Sequence, residues 1–401
     1  MSQRREITRR TVLRTGAAGA AGLTTVAMSG PATAFPGAAG EVIPWLDQPA
    51  DIPPPAADIV GHPLVWESLD SRLTRNDEFF TVKHYNEPQL SAAGYRLQVD
   101  GLVSRPRAVT LAGLRSRPRR TVEFTLECSG NTGLPFFIGG VGNARWTGTP
   151  LHSLLRQAEP AARGTEVVFW GADRGPVTIR DNSGVTVPGG PELTITEQFA
   201  RSMSLAEAMA PDNLLCFEMN GATLPRDHGF PVRLIAPGWY GVANVKWLTR
   251  IEITDQRYAG RFMARDYVTI RELEHDGEVV WTFHTVSHAR LKSAPAKVTR
   301  TRGRHTVTGV AWGAPIARVE VQIDDGRWRA AALEPARERA GFAWRFWHFD
   351  WGTPAAGEHS VRSRAFDTDG DVQPPPEDPY LSARRTYWEN NGQITRRVLI
   401  P

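Results

Sequence analysis

Cysteine is nearly absent from this 401-residue chain, which has only Cys128 and Cys216. Two cysteines cannot build a disulfide framework, and without a Cys-x-x-Cys-His run the chain offers no c-type haem attachment. A single Cys128–Cys216 bridge stays open in an oxidising compartment. Long apolar runs are missing too. The longest candidate, Thr15 to Met28, falls short of the ~20 residues of a membrane helix. Net charge is also missing from most of the chain. The formal charge is +4, and residues 1–34 supply all of it through Arg4, Arg5, Arg9, Arg10 and Arg14 against Glu6. The remainder is neutral, so it has no basic stripe of the kind nucleic-acid binding requires.

The N-terminus reads as an address. Arg9-Arg10-Thr11-Val12-Leu13-Arg14 is a twin-arginine pattern, an Ala/Gly-rich apolar stretch follows, and Ala32-Thr33-Ala34 offers a small-x-small cleavage site. Residues 1–34 are therefore expected to be an export signal, with a retained anchor as the alternative. The mature chain, with no membrane span, is expected in the periplasm or another extracytoplasmic space. The twin-arginine route carries folded proteins, which suits a cofactor inserted before export.

Residues 35–62 form a Pro/Ala-rich lead-in. Residues 63–276 mix short strands (Tyr95–Val99, Thr121–Leu126, Glu166–Trp170) with a few helical patterns (Leu151–Gln157, Leu205–Met209). No β-α-β alternation appears, so the expected class is α+β. Residues 277–401 change texture. His305–Ala311, Ala317–Ile323, Trp328–Ala332, Phe342–Phe349 and Glu358–Phe366 are strand-like runs separated by turn signals, the pattern of an immunoglobulin-like β-sandwich.

Two constellations carry chemistry. Cys128 ends an apolar, strand-like run and opens the turn Ser129-Gly130-Asn131. A thiolate there would face a cavity from a rigid edge, and soft sulfur suits redox metals. The alternative is a small buried hydrophobe, which is also how Cys216 in Leu214-Leu215-Cys216-Phe217 reads. In the second, Leu224 to Arg233 and Asn244-Val245-Lys246-Trp247-Leu248 set His228, Arg233 and Lys246 among glycines and prolines. Arginine forks, a lysine point charge and exposed backbone amides together suit a phosphate. A surface hairpin with incidental charges is the alternative.

Glu127-Cys128-Ser129-Gly130-Asn131, Ala144-Arg145-Trp146-Thr147-Gly148, Gly171-Ala172-Asp173, Glu218-Met219-Asn220-Gly221 and the two segments above resemble the sulfite oxidase family of molybdenum enzymes. The resemblance spans nearly all of the mature chain. It implies a sulfite-oxidase-type molybdopterin-binding domain followed by a sandwich dimerisation domain, hence a homodimer. It also implies a molybdenum–molybdopterin cofactor held by the Cys128 thiolate. Phe80, His84, Asp173, His228, Arg233, Asn244, Val245 and Lys246 would cradle the pterin and its phosphate, and Tyr267 would face the substrate oxygen.

The implied reaction is two-electron oxygen-atom transfer on sulfite or a related small substrate, with electrons passed to an external carrier such as a cytochrome. Departures fall at the substrate end. Val82 stands where family sulfite oxidases have a substrate arginine, with Lys83 beside it as a partial replacement, and Thr132-Gly133 stands where animal-type enzymes have paired arginines. Arg145, Arg265 or Arg384 could restore the charge. A less cationic pocket keeps sulfoxide or N-oxide reduction open, and a non-catalytic exported β-rich module is the reading from another class.

Overall fold

The computed structural model describes residues 40–54, 56–180, 192–337 and 341–401. The expected export signal, residues 1–34, lies outside the described residues. Strands dominate and the helices are short, as an α+β chain rich in Gly and Pro requires.

A five-stranded mixed sheet runs in the order Arg107–Thr110, Arg96–Gly101, Leu248–Thr254, Glu166–Arg180, Glu192–Ser204. One pair, Leu248–Thr254 with Arg96–Gly101, is parallel. Helix Leu151–Ala158 covers this sheet because Leu151, Leu154, Leu155 and Ala158 recur at helical spacing and are fully buried. They share a core with Leu97, Val99, Ile251 and Ile253. Each leucine buried there is worth about 1.5–3 kcal/mol, and Leu154→Ala would cost about 2–5 kcal/mol. Ser204 and Glu207 close a capping box that starts helix Leu205–Ala208.

A second sheet orders Ala222–Thr223, Leu214–Met219, Val141–Pro150 and Arg120–Glu127, with Arg233–Ile235 paired to the Leu214–Met219 strand. It delivers Cys128 from the end of one strand and Arg233 from the start of another. Cys216 is the cross-strand partner of Arg233, fully buried, and donates its S–H to the Glu218 carbonyl at 3.2 Å. Both thiols are free, so the bridge does not form.

The C-terminal sheets share one apolar core built on Val298, Val307, Val319, Trp347, Val361 and Val398. One orders Glu41–Ile43, Lys292–Thr301, Arg304–Trp312, Arg345–Gly352, Ala332–Leu333; the other, Arg329–Ala330, Ile316–Ile323, Gly357–Asp367, Ile394–Ile400. The lead-in is not a loose tether. Its Glu41–Ile43 strand pairs with Val298–Arg300, and buried Trp45 donates its indole N–H to the Ala296 carbonyl at 2.8 Å.

The proposed break between residues 276 and 277 falls inside a hairpin. Asp276 (φ 53°) and Gly277 (φ 80°) form the two-residue turn joining Val268–His275 to Glu278–Thr285. Asp-Gly between strands accepts positive φ at both positions, which is what such a turn needs.

Candidate active site

One cavity of about 640 Å³, counting the part open to solvent, is lined by Phe80, His84, Cys128, Asp173, His228, Arg233, Asn244, Val245, Lys246 and Tyr267. Ten of the expected site residues therefore converge. Lys83 does not line it: its ammonium pairs with Glu87 at 3.2 Å. Val82 does line the cavity, as do its neighbours Phe80 and Thr81.

Cys128 leaves the Arg120–Glu127 strand with its N–H bonded to the Gly140 carbonyl at 2.8 Å. Its own carbonyl accepts from Asn131 N at 2.9 Å, which turns the chain. Burial pushes the thiol up to about 11, so it stays protonated at neutral pH unless a cation binds the sulfur. Among the described residues no three His, Cys, Asp or Glu side chains gather as a ligand set. A metal at Cys128 must therefore bring other ligands with it.

Beside it, His84 Nε2 lies 2.6 Å from the Tyr267 hydroxyl. Burial, with help from Lys246 and Arg261, lowers His84 to about 3, so the imidazole is neutral. Burial and the nearby Cys128 raise Tyr267 well above its ordinary value. The imidazole packs between Phe199 and Phe262, and Trp388 stacks on Tyr267 at 4.3 Å.

The same cavity is also lined by cations. Arg233 donates from its two terminal nitrogens to the carbonyls of His228 (3.0 Å) and Asn244 (2.9 Å), and its buried Nε has no partner. Lys246 donates to the Asp227 carbonyl at 2.9 Å and lies 4.2 Å from the Trp247 ring centroid. Gly229, at φ 107°, lets the His228 turn approach, because a Cβ there would stand 3.0 Å from Lys246 Cα. Burial, then Arg233, lowers Lys246 to about 7, and burial raises Asp173 to about 7, with its Oδ1 unpartnered. Burial likewise lowers His228, whose Nε2 donates to the Asn76 carbonyl at 3.1 Å.

Arg233, with its unsatisfied guanidinium nitrogen, and Lys246 leave hydrogen-bond donors in the cavity without an anionic side-chain partner. A phosphate would supply it. Asn244 plays a different part, since its side chain is consumed within the loop: its oxygen accepts from Ala236 N, and its amide donates to the Trp239 and Tyr240 carbonyls. It lines the cavity while its side-chain bonds shape the turn.

A thiol and an anion trap lining one cavity fit a metal carried on a phosphorylated organic ligand. Family models agree. The oxidoreductase molybdopterin binding domain matches residues 84–262, and the Mo-co oxidoreductase dimerisation domain matches residues 279–390. Sulfite oxidase of Gallus gallus is 34% identical over 331 residues, covering 75% of this chain and 68% of that protein.

The chain belongs to the sulfite oxidase family.

Homo sapiens mitochondrial sulfite oxidase is 32% identical over 335 residues, and the match covers 76% of this chain but 58% of the human protein. The crystal structure of the sulfane dehydrogenase SoxCD from Paracoccus pantotrophus superimposes with a TM-score of 0.71 at 26% identity, covering 88% of this chain and 91% of that one. This family member is a molybdopterin-dependent oxidoreductase, sulfite oxidase-like, and the reading as a non-catalytic binding module falls. Cys128 would hold the metal, and Lys246, Arg233 and His228 the phosphate.

Sequence reasoning missed Asp227, Phe199 and Val242, which also line the cavity, and Trp388 behind Tyr267. Asp227 sits within the quoted Arg226-Asp227-His228-Gly229 run. Phe199 and Trp388 carry no local signal, because only the tertiary fold brings them to the site.

Proposed function

We propose that this protein catalyses two-electron oxygen-atom transfer on sulfite or a related small sulfur compound, passing electrons to an external carrier such as a cytochrome. The observation that carries the reading is Cys128 and the His84–Tyr267 pair sharing one cavity with Lys246 and Arg233. For sulfite the overall change is sulfite plus water to sulfate, two protons and two electrons. A molybdenum bound through a pterin dithiolene supplies the two-electron couple and the transferable oxygen. The protein's part is to bind and orient. The neutral His84 fixes the Tyr267 hydroxyl, which can donate to, or accept from, a substrate oxygen. The wall of Phe80, Val82, Leu126 and Phe199 excludes bulk water.

The reductive reading keeps one supporting observation. The cations offered in place of the absent substrate arginines are engaged elsewhere: Lys83 with Glu87, Arg145 with Glu123, Arg265 with Asp266, and Arg384 with the Trp388 carbonyl. A neutral sulfoxide or N-oxide would suit such a wall. Steady-state assay of metal-loaded protein, sulfite with an artificial acceptor against sulfoxides with a reduced dye, separates the two. Absence of near-stoichiometric molybdenum would sink both, and full activity in Cys128→Ser would remove that residue as ligand.

The same reading has the chain exported through residues 1–34 and working as a homodimer. Dimerisation draws support from the matched dimerisation domain and from the hairpin, which presents Val279, Trp281 and Phe283 on one face at 60%, 50% and 65% exposure. A second copy would cover them. Sedimentation of Trp281→Glu/Phe283→Glu is expected to show monomer, and an intact dimer would exclude the hairpin. Cell fractionation of Arg9→Lys/Arg10→Lys is expected to leave the protein in the cytoplasm.

A further inference from the structure

We propose that Glu127, Lys292 and Trp312 form a buried clamp through which the C-terminal sandwich sets the position of the Cys128 thiol, with Glu127 as a positioning residue. The proposal rests on Cys128 being the metal ligand. Glu127 immediately precedes it and is fully buried, as is Lys292. Its Oε1 accepts from Lys292 Nζ at 2.5 Å and from Asn131 Nδ2 at 2.9 Å, and its Oε2 accepts from Trp312 Nε1 at 2.8 Å.

Lys292 and Trp312 are direct cross-strand partners in the sandwich, so both project from the same face and cannot slide past each other. Asn131 passes the constraint on. Its Oδ1 takes the Gly140 N–H at 3.0 Å, and the Gly140 carbonyl takes the Cys128 N–H at 2.8 Å. Glu127, Asn131, Gly140 and Cys128 thus close a ring of bonds through the Cys128 backbone, which carries the thiol. Further bonds come from the same domain: Lys292 to Thr132 Oγ1 (3.3 Å), Glu389 N to the Ser129 carbonyl (2.7 Å) and Asn390 Nδ2 to the Thr132 carbonyl (2.6 Å). Gly133 admits this contact, since a Cβ there would lie 1.9 Å from the Tyr387 carbonyl.

Adhesion between domains alone does not need this arrangement. Apolar side chains of equal volume would hold the domains as well as a buried ion pair or better, because the pair carries its desolvation cost. What charge adds is direction, with three donors fixing one carboxylate. Metal-site function depends on such outer bonds to the groups that carry the ligands.

The experiment compares wild type, Glu127→Gln/Lys292→Met and Trp312→Phe. In cofactor-free protein, mass spectrometry follows iodoacetamide alkylation of Cys128 against buried Cys216; in loaded protein, molybdenum content and the Mo(V) resonance are read. The double variant is expected to alkylate at Cys128 about tenfold faster, the scale of one lost hydrogen bond, with less molybdenum and a shifted resonance. Trp312→Phe is expected to move all three in the same direction, and it carries the test alone if the double variant does not fold. Unchanged alkylation, metal content and resonance in the variants that fold would overturn the clamp. Wild type without molybdenum would instead overturn the functional reading on which it rests.

Discussion

The Tyr267 hydroxyl lies 2.6 Å from His84 Nε2, in a pair that carries no charge at neutral pH. With His84 neutral, only one proton is shared between oxygen and nitrogen, so the hydroxyl keeps a second direction free for substrate. Tyr267→Phe is expected to lower kcat/KM about ten- to a hundredfold, the scale of one or two lost hydrogen bonds. Molybdenum content should be unchanged.

His84 also gives the cofactor-free protein a pH signature. Its folded value, about 3, lies below the ordinary 6.5, so between those values the unfolded chain binds a proton that the folded one refuses. Stability therefore rises with pH through this window and is lost as pH falls from about 6.5 toward 3, at up to about 1.4 kcal/mol per pH unit. Denaturant melts of wild type and His84→Phe should diverge there and run parallel above pH 7. Parallel curves throughout would show His84 to be charged when folded.

Lys246, lowered to about 7 by burial beside Arg233, should titrate in the cofactor-free protein where binding can be measured. Sulfate, whose own charge is constant in this range, is expected to bind best below pH 7 and to weaken up to tenfold per unit above it. Asp173, raised to about 7 in the same cavity, ionises over the same range and adds its own slope. Asp173→Asn should therefore keep the Lys246 slope, and Lys246→Met/Asp173→Asn should bind sulfate weakly with none. A slope that survives in the double variant would assign the anion site to other groups.

Val82 lines the cavity while Lys83 turns to Glu87. Val82→Arg would place a guanidinium where the wall is apolar. If sulfite is the substrate, a charge-assisted hydrogen bond of about 1.5–3 kcal/mol should lower its KM by tenfold or more. An unchanged or higher KM would show that missing charge at this wall does not limit sulfite binding.

Most of the site was legible before any coordinates. Cys128, His228, Arg233 and Lys246 each sit in short ordered segments whose residue types declare a chemistry, and the fold brings them to one cavity. Lys83 stands one residue from cavity-lining Val82 and His84, a distinction that spacing alone leaves open. Asn244 lines the cavity, but residue type does not say whether a loop amide serves ligand or backbone, and here its side chain bonds to Ala236, Trp239 and Tyr240. Strands such as Arg304–Trp312 and Gly357–Asp367 announced themselves by alternation. Lys292–Thr301 did not, since eight of its ten residues are buried, polar Ser293, Lys297 and Thr299 among them, so burial does not follow polarity. Glu41–Ile43 is too short to show any period.

The seam between the lead-in and the sandwich has a consequence for assembly. Trp45 bridges to Val398, Leu46 N donates to the Arg397 carbonyl at 2.7 Å, and Arg397 N donates to Asp47 Oδ1 at 3.0 Å. Residues 45–47 thus wait for a strand more than 340 positions later, a long loop to close. A ribosome that stalls before Ile394–Ile400 releases a chain in which Glu41–Ile43 can still pair with Val298–Arg300, while Leu46 and Asp47 lack their Arg397 partner. The seam acts as a latch that fastens only after the Ile394–Ile400 strand has been made.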